Sequence, residues 1–435
     1  MRLNRGAFAL AAMLFASTAN ASEITPYDFP VDDPLVATVL GTPPDYQHPY
    51  AKTKKLHERY YRVNLHKTGL ERFRGQRRRG SHRLEFSLAF QKGPAPLVVS
   101  IAGTGGDHAS GKALLMKKLL YSAGYHVLSM TSPTNAEFIF GASSTNLAGM
   151  TPIDVADLYR AIRAALERIG DKIEVTAYYL TGYSLGGLES AFLSKLDDEE
   201  GKIGFKKVLL INPPVNLYTS VSNLSFIVKP GELVDETGSR SLRDFMDNLF
   251  SRIAEYFKRE GSTNLDGDAL YAVAEGVELS DFELRALVRI AFGFSVADMV
   301  FVSDMMNETG YVAPNGASTR MLTGEVTTWF KRSLRWNFLD YFYLMVLPYW
   351  QTLHPEDTEE DAIRKWSLFG IDAYLRRTAK ISVMHNVDDI ILGEGDIDYL
   401  RETFGDRAYI YPRGGHCGNM DFARNVDDMI AFFEK

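Results

Sequence analysis

Three side chains of this sequence have the types and order that nucleophilic acyl chemistry needs. Ser184 stands in Gly182-Tyr183-Ser184-Leu185-Gly186-Gly187, a pair of acids in Asn386-Val387-Asp388-Asp389, and His416 at the end of Arg413-Gly414-Gly415-His416. A serine hydroxyl is a poor nucleophile until a base takes its proton and a third group fixes that base. The order Ser, Asp, His along the chain is one of those in which such a set occurs. Either Asp388 or Asp389 could supply the acid. Three rivals are weaker. Gly106-Asp107-His108-Ala109-Ser110-Gly111-Lys112-Ala113 approaches a phosphate-cradling G-x-x-x-x-G-K, but Ala113 stands where Mg²⁺ coordination needs Ser or Thr. Cys417, the single cysteine, adjoins His416; sequence neighbours rarely face each other as nucleophile and base, so a packed thiol is expected. His57-Glu58 lacks the second histidine of H-E-x-x-H, and no other spacing suggests a metal site.

The elements around these residues should put them at the ends of strands. The β-branched and aromatic run from Val175 to Leu180 reads as a buried strand, and Leu188 to Leu196 as a helix. Strand, sharp turn carrying a serine, helix is the context that gives G-x-S-x-G its meaning. The turn lifts the Ser184 hydroxyl above the sheet and aims the Leu185 N–H at the helix start, where an oxyanion could sit. Further strand runs are Arg59 to Leu65, Arg83 to Phe90, Leu97 to Ile101, Tyr125 to Met130, Val208 to Ile211, Ile381 to Met384 and Tyr409 to Tyr411. Helical patterns fall at Lys112 to Ser122, Pro152 to Gly170, Asp396 to Phe404 and Phe422 to Phe433. A polar loop is expected from Thr131 to Met150. Alternating strands and helices predict an α/β fold, a mostly parallel sheet covered on both faces.

The alternation stops between Val215 and about Arg377. There the patterns are helical: Leu242 to Phe257, Asp281 to Met306, Val326 to Pro348 and Ala362 to Arg376. The expected division is a Pro-rich, irregular N-terminal arm at 22–56 that wraps the core, a core at 57–214 and 379–435, and a helical lid inserted at 215–378. The lid's most apolar stretch, Trp336 to Trp350, is either a helix packed on the core or a wall for a hydrophobic acyl group.

With these motifs in hand, the chain resembles the α/β-hydrolase fold superfamily over roughly residues 57–214 and 379–435. The elbow at Ser184 and the Gly-Gly-His at 414–416 carry the resemblance best. Asn386 replaces a glycine usual before the acid, and Ala102-Gly103-Thr104 stands where His-Gly-x is usual. The resemblance implies an oxyanion hole from the backbone N–H groups of Thr104 and Leu185. It also implies a serine hydrolase needing no cofactor, acting on a small-molecule or lipid ester through Ser184, Asp389 and His416. A catalytically silent binding protein on the same scaffold is the alternative. His108 could touch substrate or serve as a polar residue at a helix start, and His385 reads as a strand-end packing residue.

Composition sets the remaining bounds. A hydrophobic content of 46% and a charged content of 24% over 435 residues are those of a globular protein, and a net charge of −7 offers nucleic acid no general attraction. Arg2 and Arg5, an apolar run from Ala7 to Ala16, and Ala19-Asn20-Ala21 form a secretory signal cleaved after Ala21. A periplasmic or secreted protein is therefore expected. The basic stretch from Glu71 to Arg83 reads as a solvated hairpin tip, or as a peripheral contact with an anionic membrane surface. No obligate protein partner is evident.

Overall fold

The computed structural model describes residues 27–65, 83–228, 251, 279–317 and 323–435. The signal segment at 1–21, nearly all of the basic stretch from Glu71 to Arg83, and the helix expected at Leu242 to Phe257 lie outside the described residues.

Eight strands form one sheet: β1 (Glu58–Val63), β2 (Leu84–Ala89), β3 (Ala95–Ile101), β4 (His126–Met130), β5 (Val175–Tyr183), β6 (Lys207–Ile211), β7 (Ile381–Asn386) and β8 (Ala408–Tyr411). Their spatial order is β1-β2-β4-β3-β5-β6-β7-β8. The pairs β1–β2 and β2–β4 are antiparallel and all the rest parallel. The central strands are apolar on both faces, as sheets covered by crossover helices require. Adjacent residues point to opposite cores. Val99, Leu128 and Leu210 pack with helices α4 (Thr151–Ile169) and α5 (Leu185–Glu200). Val98, Val127 and Leu209 pack with α2 (Gly111–Ser122) and α14 (Ala423–Glu434). Burying each such side chain contributes about 1.5–3 kcal/mol.

Two stretches depart from expectation. The loop at 131–150 contains a short helix, α3 (Ala136–Gly141), started by Asn135, whose side chain accepts the Glu137 N–H. The arm is not irregular throughout. Residues Pro34–Leu40 form α1, with Asp33 accepting the Leu35 and Val36 N–H groups and Pro34 at the first helical position.

Between β6 and β7 the described residues are helical. They include α6 (Leu217–Ser225), α7 (Asp281–Asn307), α8 (Thr323–Ser333), α9 (Phe338–Tyr341), a π-helical turn (Phe342–Val346), α10 (Leu347–Leu353), α11 (Glu359–Lys365) and α12 (Asp372–Arg377). Two of the expected helices are broken. Asn337 caps a new start by accepting the Leu339 and Asp340 N–H groups, which divides the run from Val326 to Pro348. A 3₁₀ turn at Leu368–Ile371 divides the run from Ala362 to Arg376. The apolar stretch is both buried and segmented. Phe338, Tyr341, Phe342, Val346 and Trp350 join a third core with α6 and α7, while Tyr343 and Leu344 face outward. Helix α13 (Asp396–Phe404) covers the sheet between β7 and β8.

Candidate active site

The site is assembled where parallel strands end. Strand β5 runs directly into Ser184, which has φ 55° and ψ −128°, and α5 begins at the next residue. So tight a strand–helix turn tolerates no side chains at its flanks. A Cβ on Gly186 would strike the Ile101 carbonyl and lie 2.7 Å from the Ala102 oxygen, and one on Gly182 would strike the Gly186 carbonyl. The backbone is held in place by the Ser184 N–H donating to Ile211 O at 2.8 Å and by the Gly187 N–H donating to Ser184 O at 2.9 Å.

His416 comes to Ser184 from the loop after β8. Its Nε2 lies 2.8 Å from Ser184 Oγ, and its Nδ1 lies 3.0 Å from both carboxylate oxygens of Asp389. A carboxylate only accepts, so the Nδ1 carries the proton and a bare Nε2 lone pair faces the serine hydroxyl. Asp389 also accepts from Asn212 Nδ2 at 2.9 Å and from the Ile391 N–H at 3.1 Å. Burial pushes its pKa up, but His416, His385 and the Ile391 N–H outweigh that and hold it below the ordinary value. All three side chains are almost enclosed, with Ser184 9% exposed.

The second acid does different work. Asp388 accepts from the N–H groups of Gly414 and Gly415, at 3.1 and 2.9 Å, and so braces the turn that presents His416. Asn386, the departure from glycine, braces it from the other side. Its Nδ2 donates to Gly415 O at 2.8 Å and to Asn419 Oδ1 at 3.0 Å.

The 102–104 turn lies against the serine. A Cβ on Gly103 would come within 3.1 Å of Ser184 Cβ, and Thr104 and Leu185 line one cavity together. Leu185 is the first residue of α5, and a helix N-terminus favours a negative oxygen. The cavity is narrow, about 60 Å³, and strongly apolar. Its far walls come from the helices between β6 and β7: Leu217, Tyr218, Met299, Phe342, Val346 and Trp366.

The remaining candidates are accounted for elsewhere. Lys112 of the phosphate-loop-like stretch donates to the Cys417 carbonyl at 3.0 Å. Cys417 is buried, and burial pushes its thiol up to about 12, so it stays a neutral thiol. His108 is buried at the sheet edge beside Tyr60, with Glu85 Oε1 3.8 Å from its Nε2. His385 is buried, lowered in pKa by desolvation, and has Pro213 O 3.0 Å from its Nε2. Three contributors escaped the sequence reading: Asn212, Thr38 and the structured arm. Asp33-Pro34, a cap followed by a first-turn proline, was the signal for the last.

A sheet in which β2 alone runs against the other strands, and a strained serine between β5 and its helix, decide the architecture. It is the α/β-hydrolase fold. Neither a family profile nor a curated protein sequence matches the chain. Among solved structures it is similar to a hyperthermophilic esterase from the archaeon Pyrobaculum calidifontis, at 15% identity and a TM-score of 0.40, over 88% of this chain and 84% of that one. It is also similar to the Pyrococcus horikoshii acylaminoacyl peptidase, at 12% identity and a TM-score of 0.43, over 88% of this chain and 42% of that one. A thioesterase domain from the curacin biosynthetic pathway gives 10% and 0.36, over 88% and 100%. Likeness of this degree carries no argument about activity, which rests on the geometry of the site.

Proposed function

We propose that this α/β-hydrolase-fold protein is a serine hydrolase that cleaves carboxylic esters with a hydrophobic acyl group. The observation that carries the reading is the unbroken hydrogen-bonded row from Ser184 through His416 to Asp389, at 2.8 and 3.0 Å. In the reaction His416 Nε2 takes the Ser184 proton as the oxygen attacks the carbonyl carbon. Asp389 keeps the imidazole in its Nδ1–H tautomer and stabilises the imidazolium that forms. The Thr104 and Leu185 N–H groups receive the developing oxyanion, and loss of one such donor costs about 3–4 kcal/mol in barrier. His416 then returns the proton to the leaving alcohol. Water, activated by the same nitrogen, releases the acid and frees Ser184.

The aromatic and aliphatic walls of the cavity support an apolar acyl group. The helices at 215–378 act in this reading as a lid, and substrate enters when they part. The signal segment sends the mature protein to the periplasm or the medium.

The test is labelling of the purified mature protein by a fluorophosphonate, beside Ser184→Ala and His416→Ala. The wild type takes the label and both variants lose it; esters of rising chain length then rank the acyl preference. A folded wild type that stays unlabelled, with and without detergent micelles, would sink the reading and leave a silent binding scaffold.

A further inference from the structure

The loop that presents His416 is closed on itself by the Gly418 N–H donating to Gly414 O at 3.1 Å and is held further by groups from distant parts of the chain. Gly415 has φ 55° and Cys417 has φ 59°, so the residues on both sides of His416 adopt left-handed backbone. Such a backbone is costly for a residue with a Cβ, as at Cys417, and persists only where its surroundings over-determine it. Three successive amides supply that control. Those of Gly414 and Gly415 donate to Asp388, and that of His416 itself donates to Thr38 Oγ1 at 2.8 Å. Thr38 is well prepared for this. Its own hydroxyl proton goes to Pro34 O at 2.6 Å, which leaves a lone pair turned to the His416 N–H.

Thr38 does not reach across alone. The arm follows the loop residue by residue. Arg413 Nε donates to Phe29 O at 2.7 Å, and the Arg413 guanidinium pairs with Asp32 at 2.9 Å. A Cβ on Gly415 would strike Pro34 O, and one on Gly418 would strike Ala37 O, so the loop lies flush on α1. Thr42 Oγ1 donates to Gly418 O at 3.1 Å. The Tyr27 hydroxyl accepts from Asn419 Nδ2 at 2.7 Å, and the same Nδ2 donates to Asn386 Oδ1 at 2.7 Å. From Tyr27 to Thr42 the arm therefore grips the base-bearing loop.

We infer that the arm is part of the catalytic apparatus: α1, through Thr38, fixes the backbone of His416 and thereby sets the approach of its Nε2 to Ser184. Thr38 touches no reacting atom and is a positioning residue. The inference rests on the serine-hydrolase reading for its kinetic consequences but not for its geometry. Displacement of a catalytic group by about 1 Å costs on the order of 10²-fold in rate, whereas substrate binding in a cavity that Thr38 does not line should be untouched.

Thr38→Val keeps the branched shape and removes the hydroxyl, and Thr38→Ser keeps the hydroxyl. Three readouts decide: fluorophosphonate labelling rate, kcat against KM on an ester, and the His416 imidazole Nδ1–H proton resonance. The expected result for Thr38→Val is a kcat and labelling rate about 10–100-fold lower, a KM within about twofold, and a shifted or broadened Nδ1–H signal; Thr38→Ser restores all three. Unchanged kcat in Thr38→Val, or a Thr38→Ser variant as slow as Thr38→Val, overturns the inference. A wild type with no labelling overturns the hydrolase reading instead. The resonance then decides alone: altered in Thr38→Val and normal in Thr38→Ser supports positioning, and identical spectra overturn it.

Discussion

At the scale of single residues the site combines strain with order. Ser184 occupies a backbone region that side chains with a Cβ avoid, at a cost of about 1–3 kcal/mol. Removing the hydroxyl without removing the Cβ does not relieve this, so Ser184→Ala and Ser184→Gly should part company. Both lose labelling, but the glycine variant should be the more stable, by about 1 kcal/mol, and so unfold at the higher temperature; equal melting temperatures would show that the turn is unstrained. Asp389→Asn removes the group that fixes the imidazole tautomer, and kcat is expected to fall roughly 10⁴-fold, as in comparable triads, with little change in fold. The residues themselves were legible in the sequence because each sits in a short local motif. What those motifs could not carry was the division of labour between Asp388 and Asp389. One faces the imidazole and the other faces two backbone amides, a difference made by the turn after β7 and by Asn386, not by residue type.

At the scale of elements, α4 and α5 pack behind the serine with two acids in their core. Glu189 on α5 is buried with both oxygens lacking a protein partner, and Asp154 on α4 is buried accepting the Gly149 N–H. Desolvation, then their mutual repulsion, raises the pKa of Glu189 well above its ordinary value; desolvation likewise raises that of Asp154. For such a group the folded state holds the proton longer than the unfolded state does. Stability is therefore fullest below the unfolded carboxyl pKa and falls as pH rises toward the folded one. Glu189→Gln cannot titrate, so its unfolding free energy should depend on pH less steeply than the wild type's as pH rises above the unfolded carboxyl pKa, by up to about 1.4 kcal/mol per pH unit. Parallel curves would show that Glu189 stays ionised. Neither acid stood out in the sequence, since an amphipathic helix offers exposed positions for a carboxylate as readily as buried ones. The strands of the core were legible because they are continuous apolar runs. The helices between β6 and β7 were legible only as a helical region. Their breaks depend on the cap at Asn337 and on packing against α6 and α7, and periodicity is blind to both.

At the scale of the whole molecule, the arm joins one end of the described chain to the other. Cleavage of the signal after Ala21 would leave this clamp in the mature protein, because its first contact among the described residues is made by Tyr27. Intact mass of the exported protein is expected to give Ser22 as the first residue; a start beyond Thr38 would remove the grip on His416 and, with it, most of the activity. The clamp also sets a schedule. Tyr27 and Asn425 are 398 positions apart in sequence, and Thr38 and His416 are 378 apart. At 5–20 residues per second a ribosome needs roughly 20–80 s to bring the second partner out after the first. Ser184 and His416 are themselves 232 positions apart, so over that later stretch the serine is already made while the imidazole that would activate it does not yet exist. In the serine-hydrolase reading the growing chain therefore carries its nucleophile disarmed until His416 has been made.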